Sequence, residues 1–397
     1  MQKRNQFVQR VVLCVLANLL LLPASFGQSV QFAPQITIQT PAVHLTGLAV
    51  GDFNHDGIPD VFVPLDEFPS TTIALGKGDG RFGPWRYLAA SALPNLVAVG
   101  DFNGDGNLDT VSTDSQSNAV TTSLGLGDGS FCCYHFFNTA IPPVSSSSVP
   151  VGIKVADVNG DGIADLIIFN YGRDNKENGI DVSLGNGDGT FRPYQHFSTR
   201  GTGAAQFVMG DFNGDGIPDF AATDCGAFTK GTDNLAVLLG NGDGTFKTAM
   251  LSHPMRDPNP IALGDFNGDG ILDLAVGSII TNQVEVLLGR GDGTFSNRLG
   301  LIDQHGLGIG DVKAADFNGD GKLDLAVLGL RCTGCYADSV SILQGNGDGT
   351  FQAPVRFDLP FGASRMVIAD LNSDGKPDIL VINSYSNTLN VLLNTTP

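Results

Sequence analysis

The chain has 397 residues, of which 42% are hydrophobic and 16% charged, with 52 glycines and a formal net charge of −19. That balance excludes a disordered polyelectrolyte, and the acidic excess argues against nucleic acid as a partner, because phosphate binding needs a basic patch. The length suits one large β domain or two ordinary ones, and the glycine content points to a turn-rich all-β chain.

The N-terminus comes first. Lys3, Arg4 and Arg10 accompany a short apolar run from Val11 to Leu22, and Ser25 and Gly27 have the spacing of a signal-peptidase site. A membrane anchor would need roughly 20 apolar residues, so residues 1–27 read as a signal peptide cleaved near Gly27. The expected product is secreted, with no membrane span. Leu13 precedes Cys14 where a lipoprotein signal wants a small residue, so lipidation is not expected. Cleavage removes those three cations and no acid, which moves the charge from −19 to −22. The five remaining cysteines are Cys132, Cys133, Cys225, Cys332 and Cys335. Export permits disulfides, and Cys332 with Cys335, in RCTGCYADS, is the best local pair.

The rest of the chain repeats one motif seven times: DFNHDGIPD at 52–60, DFNGDGNLD at 101–109, DVNGDGIAD at 157–165, DFNGDGIPD at 211–219, DFNGDGILD at 265–273, DFNGDGKLD at 316–324 and DLNSDGKPD at 370–378. The starts are separated by 49, 56, 54, 54, 51 and 54 residues, the mark of a repeat architecture. Within each unit a short apolar strand enters the loop, as in PIALGD, and a second leaves it, as in LDLAVGS. A third follows, as in VEVLLG, then a Gly-rich turn and a fourth strand. Four strands at this period make one propeller blade. The GDGxF turns occur six times, at 78–82, 127–131, 187–191, 242–246, 291–295 and 347–351, so the seventh unit lacks its fourth strand. QFAPQITI at 31–38 resembles FQAPVRF at 351–357 after the sixth turn. The expected fold is therefore a seven-bladed β-propeller over 28–397, its ring closed when the N-terminal strand completes the last blade. Closure removes exposed sheet edges.

The loops carry the first candidate chemistry, calcium. A hard cation of this kind takes six to eight oxygens. Each loop supplies side-chain oxygens at its first, third, fifth and ninth positions and offers the backbone carbonyl of the seventh. The sets are Asp52, Asn54, Asp56, Ile58, Asp60; Asp101, Asn103, Asp105, Asn107, Asp109; Asp157, Asn159, Asp161, Ile163, Asp165; Asp211, Asn213, Asp215, Ile217, Asp219; Asp265, Asn267, Asp269, Ile271, Asp273; Asp316, Asn318, Asp320, Lys322, Asp324; and Asp370, Asn372, Asp374, Lys376, Asp378. Three carboxylates packed so closely repel one another unless a cation sits among them. An EF-hand also begins D-x-N-x-D-G, but it needs a Glu at position twelve and flanking helices. That position is Val63, Ser112, Ile168, Ala222, Val276, Val327 and Val381 here. The competing reading is an Asx-rich turn without metal, and the sevenfold recurrence of the same set weighs against it.

These D-x-N-x-D-G-x-x-D loops and G-x-G-D-G-x-F turns resemble the FG-GAP/VCBS repeats, the propeller type also found in integrin α subunits, over essentially the whole mature chain. The resemblance implies a β-propeller with Ca²⁺, up to seven ions here, in the loops between first and second strands on a lower face. It also implies ligand contacts on the opposite face, and it fixes no biochemical function. The charges agree, since the loops hold 21 of the 41 acidic residues and seven Ca²⁺ would move −22 to −8.

Other motifs carry less. Arg290-Gly291-Asp292 lies inside a hairpin turn, and Lys77, Leu126, Asn186, Asn241 and Asn346 occupy the position equivalent to Arg290. The turn aspartates Asp79, Asp128, Asp188, Asp243, Asp292 and Asp348 are expected to form turns rather than bind metal. The six histidines show no zinc spacing, and His55 replaces a glycine in the first loop. No nucleophile elbow, zincin motif or P-loop is present.

Function is expected on the upper face, in the variable links between second and third strands and between blades. Residues there with chemical variety are Tyr171, Arg173, Phe228, Lys230, Arg331, Tyr336 and Tyr385, beside the Ser-rich insert PPVSSSSVP at 142–150. Aromatics beside polar groups suit a glycan or protein ligand. Two classes compete: a binding or adhesion module, and a polysaccharide-degrading lyase or hydrolase with its site in a central upper-face pocket. Most acids are already assigned to loops and no catalytic motif remains, which favours binding.

Overall fold

The computed structural model describes residues 28–41, 45, 47–65, 70–89, 94–114, 120–137, 148–172, 178–201, 203–224, 234–302, 308–330 and 338–397. Residues 1–27 with the expected cleavage site, most of the 142–150 insert, and Cys225, Cys332 and Cys335 lie outside them.

Alternating apolar strands with Gly-Asp turns build seven four-stranded antiparallel sheets, arranged as the blades of a ring. Blades 1 to 6 each take four consecutive strands. Blade 7 takes Ala363–Ala369, Asp378–Asn383 and Thr388–Leu392, and its outer strand is Ile36–Gln39. That N-terminal strand pairs antiparallel with the third, Thr37 opposite Asn390. Phe32 adds a bridge to Asn394, and the Ala33 amide donates to the Leu393 carbonyl at 2.8 Å. The sequence-based expectation of ring closure is met.

Second and third strands are buried on both faces, as in Asp378–Asn383 and Thr388–Leu392 of blade 7, so they read as near-continuous apolar runs. The core is distributed: apolar clusters form where neighbouring blades meet. Ile167, Phe169 and Ile180 of blade 3 meet Phe207, Phe220 and Ala236 of blade 4. Blade 7 meets blade 1 in the same manner through Leu380, Ile382 and Leu389 against Val61, Val63 and Leu65. Innermost strands run from the upper face down to the D-x-N-x-D-G loops. Both the loops and the GDGxF turns therefore lie on the lower face, and the described second-to-third links, 279–282 and 384–387, lie on the upper.

Among the described residues no helix is long and apolar enough to cross a membrane.

Candidate functional site

The lower-face loops share one wiring, shown by residues 211–219. Asp211 Oδ1 accepts from the amides of Gly214 (2.7 Å) and Asp215 (3.1 Å), and its Oδ2 accepts from Gly216 (2.8 Å). Asn213 Oδ1 accepts from the Asp215 amide and Asp215 Oδ1 from the Ile217 amide, both at 2.9 Å. At position four the backbone is left-handed, which suits Gly104, Gly160, Gly214, Gly268 and Gly319; His55 (φ 59°) and Ser373 (φ 58°) adopt it without that freedom. His55 extends to the next loop, where its Nε2 lies 2.9 Å from Asn107 Oδ1.

The ninth-position aspartate is fully buried in every loop: Asp60, Asp109, Asp165, Asp219, Asp273, Asp324 and Asp378 are each 0% exposed. One oxygen takes the amide of the second loop residue and the other takes an amide at the end of the third strand. Asp219, for example, accepts from Phe212 at 2.9 Å and Gly240 at 2.8 Å. Each carboxylate oxygen has a second lone pair, so these bonds are compatible with a cation. Burial raises the pKa of these seven carboxyls, the two amides oppose it, and the loop's other aspartates raise it further. Asp109, Asp324 and Asp378 are pushed up to about 6. For Asp211 burial also acts upward, but the amides around it outweigh it and the net shift is down.

The donor set is a hard oxygen set with uncompensated negative charge, which fits Ca²⁺. The fit is not a finished cage. Among the described residues no three His, Cys, Asp or Glu side chains converge on one point. The seventh residue also faces its own blade: a Cβ added at Gly242 would lie 3.1 Å from Ile217 Cδ1, so the Ile217 side chain packs on the turn and leaves its carbonyl to the loop.

Loop and turn are linked between blades. The Gly129 amide in the blade 2 turn donates to the Phe53 carbonyl of the blade 1 loop at 2.9 Å, and Gly189 to Phe102, Gly293 to Phe212 and Gly349 to Phe266 repeat this. The rings follow: Phe53 meets Phe131 at 5.7 Å and Phe102 meets Phe191 at 5.5 Å. Turn aspartates stay within their turns, as Asp243 Oδ1 accepting the Thr245 amide at 2.9 Å shows. Asp292 does the same with Thr294 at 2.9 Å, so the Arg290-Gly291-Asp292 tripeptide is part of a lower-face turn.

On the upper face, Tyr171 is half-buried at the end of the second strand of blade 3, and Tyr385 is 76% exposed in the blade 7 link. The two are not brought together: they stand on different blades. Arg173, Phe228, Lys230, Arg331 and Tyr336 lie outside the described residues. Tyr385 instead pairs with Phe361, which is 39% exposed, with ring centroids 5.0 Å apart. Ser384, next to Tyr385, lines a vestibule of about 510 Å³ with Asn95, Gln206, Asn259, Ser364 and Arg365. Innermost strands bulge there, between Ala204 and Phe207, between Pro258 and Ile261, and between Ala363 and Arg365. A bulge re-aims side chains, and of the skipped residues Ala205, Gln206, Asn259 and Ser364 line the vestibule.

Below the vestibule is a central channel of about 430 Å³ holding Lys154, Lys313, Arg365 and Asp311. Asp311 is committed: its Oδ1 meets Lys313 Nζ at 2.6 Å, and its Oδ2 accepts the Met366 amide at 2.8 Å. Lys154 lies 5.7 Å from the centre of the Phe207 ring. Burial pulls the Lys154 pKa down, Lys313 adds to that and Asp311 opposes it. Sequence reading missed these cations because it searched loops. Lys154 and Lys313 both stand three residues before a loop's first aspartate, Asp157 and Asp316, where the other repeats have Ala or Val. That register is the signal that would have found them.

Comparison with known proteins agrees with this architecture. The model of the FG-GAP-like repeat matches residues 101–168, 157–222, 223–276, 265–327 and 332–381. The T-cell immunomodulatory protein of Rattus norvegicus is 28% identical over 280 residues, covering 63% of this chain and 44% of that protein. The Homo sapiens protein of that name is 26% identical over 215 residues, covering 47% and 34%. The chain thus matches less than half the length of these curated relatives. Among solved structures, an Agrocybe aegerita lectin, studied for specific recognition of non-reducing terminal N-acetylglucosamine, has a TM-score of 0.59 at 19% identity, covering 90% of this chain and 87% of that one. BBS1N, solved in complex with ARL6DN, has a TM-score of 0.61 at 11% identity, covering 92% and 96%. Both show the fold alone. With five matched repeats along most of its length, the chain belongs to the FG-GAP-like repeat family.

Proposed function

We propose that the protein is a secreted, calcium-stabilised binding module that takes a glycan or protein ligand on its upper face. The observation that carries this reading is the division of labour between faces. The lower face repeats one oxygen-rich loop in all seven blades, which suits a structural role. The upper face is not repetitive and carries the exposed Phe361–Tyr385 pair, Tyr385 being next in the chain to Ser384 of a polar vestibule. Aromatic faces beside carboxamides and hydroxyls are what sugar and protein ligands use. The lectin likeness and the BBS1N complex are in keeping with a binding use of this fold.

A polysaccharide-degrading enzyme is the second reading. Lys154 favours it, since a lysine whose pKa is held down is suited to general-base work. Asp311, with both oxygens engaged, is poorly placed to act as a general acid. A glycan array probed with and without Ca²⁺, beside a polysaccharide turnover assay, separates the two. Retained glycan, lost on Tyr385→Ala, supports the binding module. Turnover with no retained ligand overturns it.

A further inference from the structure

The central channel is cationic within a strongly acidic protein. Lys154 comes from the innermost strand of blade 3 (Ser148–Ala156), Lys313 from blade 6 (Gly308–Ala315) and Arg365 from blade 7 (Ala363–Ala369). One carboxylate, Asp311, faces them and is paired with Lys313. Two cations are left over. Among the described residues Arg365 has no ion-pair partner, and the contact found for Lys154 is the Phe207 ring. Holding like charges together in a confined cavity is unfavourable, so the arrangement is suited to an anion entering from the vestibule. Arg365 and Gln206 line both cavities and so stand at the throat between them.

The surroundings identify the anion's carrier. At the throat is the carboxamide of Gln206 and above it that of Asn259, while Ser384 of the vestibule wall is followed in the chain by Tyr385 of the Phe361–Tyr385 pair. A sugar offers a group for each: a C–H face for the aromatic pair, hydroxyls for the carboxamides, and a single acidic substituent for the cations. A guanidinium at the throat suits a planar carboxylate, which it can meet with two parallel hydrogen bonds.

We propose that the channel binds the carboxylate of an acidic sugar, a uronate unit at the end or within a glycan, through Arg365 and Lys154. This rests on the upper-face reading above and names its ligand class.

The test is calorimetric titration of the mature chain with D-glucuronate, with D-glucose, and with inorganic sulfate as competitor. Glucuronate is expected to bind at least about ten-fold more tightly than glucose, since a hydrogen bond to a charged group is worth about that much. Sulfate is expected to displace it, and Arg365→Gln and Lys154→Met each to weaken it about ten-fold at unchanged melting temperature. Equal binding of glucuronate and glucose, no displacement by sulfate, or no binding of glucuronate overturns the proposal without needing a variant that folds. Array-positive uronate glycans held no more tightly than their neutral counterparts, and unaffected by Arg365→Gln, would sink the channel assignment while leaving the upper-face reading standing. Silence toward every glycan and protein probe would sink both.

Discussion

The side-chain amide of Asn394 donates to the Phe317 carbonyl at 2.8 Å, across the boundary between blades 6 and 7. In blades 2, 3, 5 and 6 the equivalent carbonyl of the preceding loop takes a glycine amide from a GDGxF turn. Blade 7 has no such turn, and one asparagine near the C-terminus replaces it. Its own backbone amide also supplies the Asp378 contact, at 2.7 Å, that Gly240 supplies to Asp219 in blade 4. Asn394→Ala leaves the buried Phe317 carbonyl without that partner. We expect a loss of about 1–3 kcal/mol, read as a lower denaturant midpoint at unchanged slope. A midpoint equal to that of the parent chain would show that the closure does not depend on this bond.

Chelation tests the cation. Extracellular calcium modules bind at roughly 10⁻⁴–10⁻³ M. At about 1 mM Ca²⁺ a site at the tight end adds about 1.4 kcal/mol. Seven such sites would approach about 10 kcal/mol, comparable with a domain's whole net stability. EDTA is therefore expected to lower the melting temperature strongly, and Ca²⁺ to restore it. No change on chelation would end the structural-calcium proposal.

Two aspartates of one loop are expected to fail in different ways. Asp219 is buried and holds two amides, so Asp219→Asn sets a donor against a donor. It should cost about 1–3 kcal/mol even in EDTA. Asp215 is exposed, so Asp215→Asn should leave stability in EDTA nearly unchanged and reduce the gain from added Ca²⁺. Equal losses for both variants in EDTA would show that the ninth position has no special structural role.

The metal-free protein should have an unusual acid response. Asp109, Asp324 and Asp378 are raised from 3.8 to about 6, chiefly by burial, and Asp224 is raised to about 6 by burial although Asn178 donates to it. Between those values the folded chain holds more protons than the unfolded one, so stability rises as pH falls through that window and is lost as pH rises through about 6. In EDTA, unfolding free energy is therefore expected to be higher at pH 5 than at pH 7. In Ca²⁺ the loop carboxylates must ionise to bind, and their contribution reverses. Chemical denaturation at both pH values, with and without Ca²⁺, checks the two signs.

The repeat made most of the fold legible. Seven loops fixed the blade count, six turns exposed the missing strand, and QFAPQITI located it. The turn aspartates accept amides within their own turns, as Asp188 does from Thr190 and Asp348 from Thr350. The channel was harder to read because its lining depends on three-dimensional facts: which residues of an innermost strand face inward, and where a bulge changes that. Gln206 shows this, since the bulge between Ala204 and Phe207 sets its place at the throat. Nothing in AAQFVMG marks that bulge. The Asn394 substitution is equally local, visible only once the Phe317 carbonyl is known to need a donor.

Pairing of the first and last strands also fixes how the molecule can be held. The Gln31 amide donates to Thr396 Oγ1 at 3.0 Å, and the Thr395 amide to the Gln31 carbonyl at 2.8 Å. Any polypeptide continuing from either end must leave side by side on the loop face. A tether, a fused partner or a solid support attached there would point the channel mouth outward.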